Sequence, residues 1–85
     1  METRVALISM IVQDQESALE INALLHAYRQ YIIGRMGIPY APKKISIISI
    51  AIDAPQDIIS ALSGKLGALR GVSAKTVYSK VEGAY

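Results

Sequence analysis

At 85 residues the chain makes a single domain, 1–85, and a domain this small buries only about 60% of the surface its unfolded form exposes, so self-association would add stability. Hydrophobic residues make up 52% and charged residues 19%, with no Phe and no Trp, which implies an isoleucine-rich aliphatic core and an apolar excess suited to a buried interface. The net charge of +2, from nine basic and seven acidic residues spread along the chain, excludes a strong electrostatic footprint for nucleic acid, and the absence of cysteine excludes a disulfide framework, a thiolate metal site and a cysteine nucleophile.

A cysteine-free chain fits a reducing compartment, so the expected location is the cytoplasm. Val5 to Val12 is too short to span a bilayer and has no small-residue cleavage pattern after it, so neither a signal peptide nor a membrane partner is expected.

Arg4 to Val12 reads as the first strand, with Ala6, Ile8, Met10 and Val12 on one face and Val5, Leu7, Ser9 and Ile11 on the other. Gln13 and Asp14 break the pattern, and Asp14 is a suitable N-cap for a helix over Gln15 to Tyr28, with Glu16 near its positive end. Ala18, Ile21, Leu24, Leu25 and Tyr28 form its apolar stripe, while Glu16, Glu20 and Asn22 face water.

Tyr31 to Ile38 returns as a strand whose Gly34 and Gly37 mark a bulge or a close backbone approach. Pro39 and Pro42 confine it to a sheet edge and shape the turn through Tyr40, Ala41 and Lys43. Lys44 to Asp53 is the central strand, rich in β-branched residues. Ser46, Ile48, Ile50 and Ile52 share one face, and Ile45, Ile47, Ser49 and Ala51 share the other, so neither face looks solvated.

Asp53-Ala54-Pro55-Gln56-Asp57 starts a second helix, with Pro55 suited to its first position. Its stripe is Ile58, Ile59, Leu62, Leu66 and Leu69; Gly64 and Gly67 thin it for close packing, and Gly71 ends it in a left-handed conformation. Val72 to Val81 alternates Ser73, Lys75, Val77 and Ser79 against Val72, Ala74, Thr76 and Tyr78 and reads as a strand, followed by a loose tail from Glu82 to Tyr85. Tyr28, Tyr31, Tyr40 and Tyr78 are expected to bury their rings and keep their hydroxyls wet.

The order βαββαβ predicts an α+β, ferredoxin-like domain: a four-stranded antiparallel sheet in the order fourth, first, third, second, with both helices on one face. The most economical cover for the other face is a second copy of the same sheet. Val5, Leu7, Ile11, Ile45, Ile47 and Ala51 are therefore the expected oligomer interface, in a dimer or a tetramer.

Four pieces of the chain carry a family resemblance: Leu25-His26-Ala27-Tyr28, Ile32-Ile33-Gly34-Arg35-Met36-Gly37-Ile38-Pro39-Tyr40, Asp53-Ala54-Pro55, and Leu62-Ser63-Gly64-Lys65-Leu66-Gly67 with Gly71-Val72. Together they resemble the small, stand-alone ACT-like family assigned to regulation of the iron-only hydrogenase system. The resemblance covers nearly the whole chain and is most specific from Gly34 to Tyr40. It implies an ACT-like ferredoxin fold, a homo-oligomer and a regulatory role.

More distantly, the layout is similar to the effector domain of nickel-responsive repressors and to amino-acid-binding ACT domains. Nickel domains of that type use several histidines and a cysteine, whereas this chain has only His26 and no Cys. Amino-acid-binding ACT domains usually carry glycine between first strand and first helix, where this chain has Val12-Gln13-Asp14-Gln15. The ribbon-helix-helix segment of the repressors has no counterpart here.

Each candidate site has a structural reading beside its functional one. Ser9, Gly34, Arg35, Met36, Gly37 and Ser49 form the candidate ligand set. The glycines would admit a ligand, Arg35 would offer planar donors to a carboxylate or phosphate, and the two serines would hydrogen-bond it between subunits. Structurally, the same residues make an edge bulge docking another subunit and a pair of locally satisfied hydroxyls. Ser63-Gly64-Lys65 lacks the first glycine and the trailing hydroxyl of a phosphate loop, so no nucleotide site is read there. His26, flanked at four-residue spacing by Asn22 and Gln30, is a poor first shell for a metal, and no metal or cofactor is expected.

With no nucleophile triad and no carboxylate pair, an enzyme is not expected. The leading reading is a non-enzymatic regulatory domain, oligomeric and responsive to a small effector or a protein partner at the subunit boundary. The alternative is an assembly module with no small-molecule ligand. Direct nucleic-acid binding would need Arg4, Lys75 and Lys80 to form one basic patch.

Overall fold

Alternation along the first strand decides the architecture. In β1 (Arg4–Val12), Ala6, Ile8, Met10 and Val12 are buried while Val5, Leu7, Ser9 and Ile11 are exposed, as the period of two requires when one face meets a core. The computed structural model describes residues 2–80. After β1 come α1 (Ala18–Ala27), β2 (Ile32–Tyr40), β3 (Ile45–Ala54), α2 (Gln56–Gly67) and β4 (Val72–Tyr78), with 3-10 turns at Gln15–Ser17, Arg29–Tyr31 and Ala41–Lys43. The strands pair antiparallel in the order β2-β3-β1-β4. This is the ferredoxin-like order expected from the sequence.

Both helices cover one face. Ile21 and Leu25 of α1 and Ile59, Leu62 and Leu66 of α2 are buried with Ile8, Met10, Ile50 and Ile52 of the central strands. Each such aliphatic side chain contributes roughly 1.5–3 kcal/mol by leaving water. Leu24, Tyr28, Tyr31, Ile58, Leu69 and Tyr78 pack half-buried around that core.

Several boundaries differ from the sequence-based expectation, each for a local reason. The first helix opens as a 3-10 turn because Asp14 Oδ1 accepts the Glu16 N–H at 2.9 Å and the Asp14 carbonyl accepts the Ser17 N–H at 3.1 Å. Its α-helical part ends at Ala27, with Tyr28 as the C-cap. The second strand runs on through Pro39 to Tyr40, which an edge strand permits because the missing Pro39 N–H need not enter the ladder. Lys44, at φ 55°, closes the following turn in the left-handed region, so β3 begins at Ile45. Pro55 is the N-cap rather than the first helical residue; its carbonyl accepts N–H donors from Ile58 and Ile59. The last strand ends at Tyr78, and the expected tail from Glu82 to Tyr85, like Val81, lies outside the described residues.

Two loops at one end of the sheet are tied together. Gln13 donates its N–H to the Gly71 carbonyl at 2.7 Å. The buried Ser17 hydroxyl donates to the Arg70 carbonyl at 2.6 Å, and Arg70 Nε lies 3.5 Å from Asp14 Oδ2. The second helix ends at Gly67 with Ala68 as a right-handed C-cap, so Gly71 does not end it as expected; the left-handed conformation anticipated for Gly71 is present, at φ +69°, in the turn that leads into β4.

Candidate functional site

The face of the sheet away from the helices is open, and strand register assigns its residues in rows, because directly paired antiparallel residues point the same way. Gly34, Ala51, Leu7 and Val77 form one row; Met36, Ser49, Ser9 and Lys75 the next; Ile38, Ile47, Ile11 and Ser73 the third. Tyr40 opposite Ile45 extends the face at one end and Val5 opposite Asp53 at the other. Ten large hydrophobics are exposed among the described residues, and eight lie on this face: Val5, Leu7, Ile11, Met36, Ile38, Tyr40, Ile47 and Val77. Such concentration on one side is what distinguishes a functional surface from scattered exposure.

Polar groups on the face are few and placed with order. Ser9 and Ser49 stand opposite each other at the middle of the two central strands, their hydroxyls 3.4 Å apart. Lys75 ends their row on the outer strand β4, and Asp53 lies at the far end. The centre is thus apolar with one neutral hydroxyl pair, and the charges sit at the margin.

The expected interface residues Val5, Leu7, Ile11, Ile45, Ile47 and Ala51 all fall on this face. The candidate ligand set does not stay together. Ser9, Ser49, Gly34 and Met36 share the open face, but Arg35 pairs with Ile50 and Gly37 with Ile48, which puts both on the helix side of the sheet edge. A single residue of parity separates the two groups. The glycine segment does contain a bulge, located between Ile32 and Gly34 with Ile33 as the extra residue. Neither Gly34 nor Gly37 is approached closely by the described chain: a Cβ at either would meet nothing within 4 Å. The same holds for Gly64, so close packing on the sheet does not explain it, while a Cβ at Gly67 would touch Ala74 Cβ at 3.9 Å.

On the helix side, Arg35 Nη2 donates to Asn22 Oδ1 at 3.2 Å, bridging the edge strand to α1. A cleft of about 380 Å³ opens there, lined by Asn22, Leu25, His26, Arg29, Ile32, Ile33, Gly34 and Arg35. Arg29 Nη1 donates to the His26 carbonyl at 2.9 Å. Asn22 and Arg29 were not among the sequence candidates, and neither were Ile38, Tyr40 and Val77 on the open face; Lys75 was considered only for a basic patch. The signal for the cleft was present as the four-residue step from Asn22 to His26. For the sheet face, the parity of β4 carried it.

The remaining candidates have local partners. Lys65 Nζ donates to the Tyr28 hydroxyl at 2.9 Å and lies 5.2 Å from the ring centre, while the Ser63 and Thr76 hydroxyls are 2.8 Å apart. Tyr40 keeps 45% of its surface exposed, unlike the other three tyrosines expected to bury their rings. Arg4 stacks on Tyr78 with its guanidinium carbon 4.6 Å from the ring centre, and donates to Gln56 Oε1 at 3.1 Å. Its strand parity places it on the helix side while Lys75 is on the open face, so these two cations do not share a patch. Among the described residues no three His, Asp or Glu side chains gather as a metal shell, and no helix is long and apolar enough to cross a membrane.

Comparison with known proteins supplies the context for this geometry. Residues 4–76 match the family model TM1266-like, described as "Iron-only hydrogenase system regulator, putative". Among solved structures the chain is similar to that described as uncharacterized protein TM1266 from Thermotoga maritima, with 39% sequence identity and a TM-score of 0.87, covering 93% of this chain and 100% of that one. No curated protein matches. The family match over residues 4–76, together with a relative of the same fold at this identity, shows that the chain belongs to the TM1266-like family.

Proposed function

We propose that the protein is a non-enzymatic regulator of an iron-only hydrogenase system that works as a homo-oligomer, its subunits joined through the open sheet face. The observation that carries this reading is the gathering of eight exposed large hydrophobics on that one face. Four strands about 4.8 Å apart, with four rows spaced about 6.8 Å along them, present roughly 500 Å² per copy. Two copies packed face to face would bury about 1,000 Å², the lower bound for a specific interface. The apolar centre and the marginal Lys75 and Asp53 follow the core-and-rim layout of such contacts.

Regulation would work by population shift: an effector at the subunit boundary favours one arrangement of the copies over another. The Ser9 and Ser49 hydroxyls, with Met36 and Gly34 beside them, are the groups on the face that would touch it. A second reading is supported by the sparseness of those same groups. One hydroxyl pair offers little to select a small molecule, so the face would serve assembly with a protein partner and no ligand.

Native mass spectrometry of the purified protein separates these readings. A multimer with extra bound mass supports the effector reading, a ligand-free multimer the assembly module, and a monomer overturns the oligomer. The regulatory role is tested in the host: deleting the gene must change hydrogenase activity or abundance, and unchanged levels under hydrogen-producing conditions would sink it.

A further inference from the structure

Among the described residues the polar lining of the cleft between α1 and the β2 edge is Asn22, His26, Arg29 and Arg35, with no carboxylate. Asn22 and His26 stand one turn apart on α1, which places them on the same stripe. Arg29 follows on the 3-10 turn after the helix, and Arg35 reaches over from β2 to Asn22. The floor is apolar: Leu25 is buried and Ile32 half-buried.

Each guanidinium has five N–H donors and no acceptor. Among the described residues Arg35 uses a donor on Asn22 and Arg29 one on the His26 carbonyl, which leaves most of them unused. Both side chains are exposed to solvent, each anchored by that one bond. Arg29 lies at the carbonyl end of α1, where a cation is favoured, and Arg35 reaches the helix across the cleft.

We propose that this cleft is an oxyanion site for a phosphorylated small molecule, held by Arg29 and Arg35 with His26 and Asn22 beside them. Two guanidinium charges match a dianion, and their forked donors exceed what the two oxygens of a lone carboxylate accept. The size, about 380 Å³, suits a small molecule. Among the described residues no Phe, Tyr or Trp lines the cleft. The four polar groups lie on the helix side of the β2 edge, where the cleft shares only Gly34 with the open face, and the assignment does not rest on the oligomer reading.

The test is a titration of the full chain with inorganic phosphate at constant ionic strength, following backbone amide, Arg Nε–H and His26 ring resonances by NMR, with acetate and chloride as parallel titrants. Saturable shifts confined to the cleft are expected, half-maximal at about 1–10 mM as befits so small a fragment. Arg35→Ala and Arg29→Ala should each weaken binding at least about tenfold, and Arg35→Lys less, because it keeps the charge and loses the fork. Ile47→Asp, whose substitution lies on the open face, should bind phosphate as the unaltered chain does, so failure of one reading leaves the other standing. Shifts spread over Lys43, Lys44 and Lys80 as well, acetate binding as tightly as phosphate, or full binding by the double variant Arg29→Ala/Arg35→Ala would each overturn the assignment.

Discussion

Gly71 backs directly onto Asp14: a Cβ at position 71 would lie 2.6 Å from the Asp14 Cβ and 2.8 Å from its backbone nitrogen. Both the left-handed φ of +69° and this contact exclude any side chain. The residue lies beyond α2, in the turn before β4. It lets the chain entering β4 pass against the chain leaving β1, and the Gln13 to Gly71 hydrogen bond closes that contact.

Gly71→Ala should cost about 2–4 kcal/mol, from left-handed strain together with displacement of the Asp14 backbone. Urea denaturation measures it as a lowered midpoint at unchanged slope. Gly64→Ala and Gly67→Ala are the matched controls, since a Cβ there meets nothing or an ordinary contact within a helix. Those two should stabilise the chain by up to about 1 kcal/mol. Equal destabilisation by all three would refute the account of Gly71.

Ser17 braces the same junction from inside. Its hydroxyl is buried and donates to the Arg70 carbonyl at 2.6 Å, so Ser17→Ala leaves that carbonyl without its donor. The expected loss is about 1–2 kcal/mol by denaturation. Substituting the exposed partner of the neighbouring contact, Arg70→Ala, should change stability by less than about 1 kcal/mol, because an ion pair with one fully solvated member contributes little.

The strands were legible because apolar and β-branched residues run through Arg4 to Val12 and Lys44 to Asp53; burial alternates residue by residue along β1, and in β3 it does so from Ile50 to Ala54, the first half being half-buried on both faces except for the exposed Ile47. The helix stripes were legible for the same reason at a period of 3.6. Less legible was anything decided between segments. Asp14 with Gly71, and Ser17 with Arg70, are more than fifty residues apart in sequence and carry no local pattern. Gly34, Arg35, Met36 and Gly37 looked like one constellation because they are consecutive, yet in a strand consecutive residues face opposite sides, so the sheet divides them. Placing β4 beside β1 also brings Val77 and Lys75 onto the open face, which no reading of β1 and β3 alone reveals.

Gly34 gives a test of what covers that face. It pairs with Ala51 in the row containing Leu7 and Val77, and the described chain leaves open space where its Cβ would be. For one subunit, Gly34→Val should therefore be neutral or slightly stabilising, since a β-branched residue suits a strand. If a second copy approaches there, the same change will weaken association at least about tenfold without lowering the unfolding midpoint of the separated chain. Analytical ultracentrifugation across a concentration series reads the first quantity and dilute thermal unfolding the second. Association unchanged by valine would place Gly34 outside the contact.

The most direct test is to put a charge at the centre of the open face. Ile47 lies between Ile38 and Ile11 in the third row and is 37% exposed in the single chain, so it contributes little to the core formed by Ile50 and Ile52. Ile47→Asp should leave the monomer folded, with a loss of no more than about 1 kcal/mol. In a face-to-face pair the two-fold repeat would bury this charge without a partner in each subunit, at a cost of several kcal/mol per ion. Against an interface of about 1,000 Å², that is enough to dissociate the assembly. Leu62→Asp supplies the contrast, because Leu62 is fully buried and its loss should unfold the chain rather than separate it. Light scattering after size exclusion, with circular dichroism on the same samples, gives mass and fold together. A folded Ile47→Asp chain that keeps the mass of the unaltered protein would remove the open face from the interface and leave the eight exposed hydrophobics to another partner.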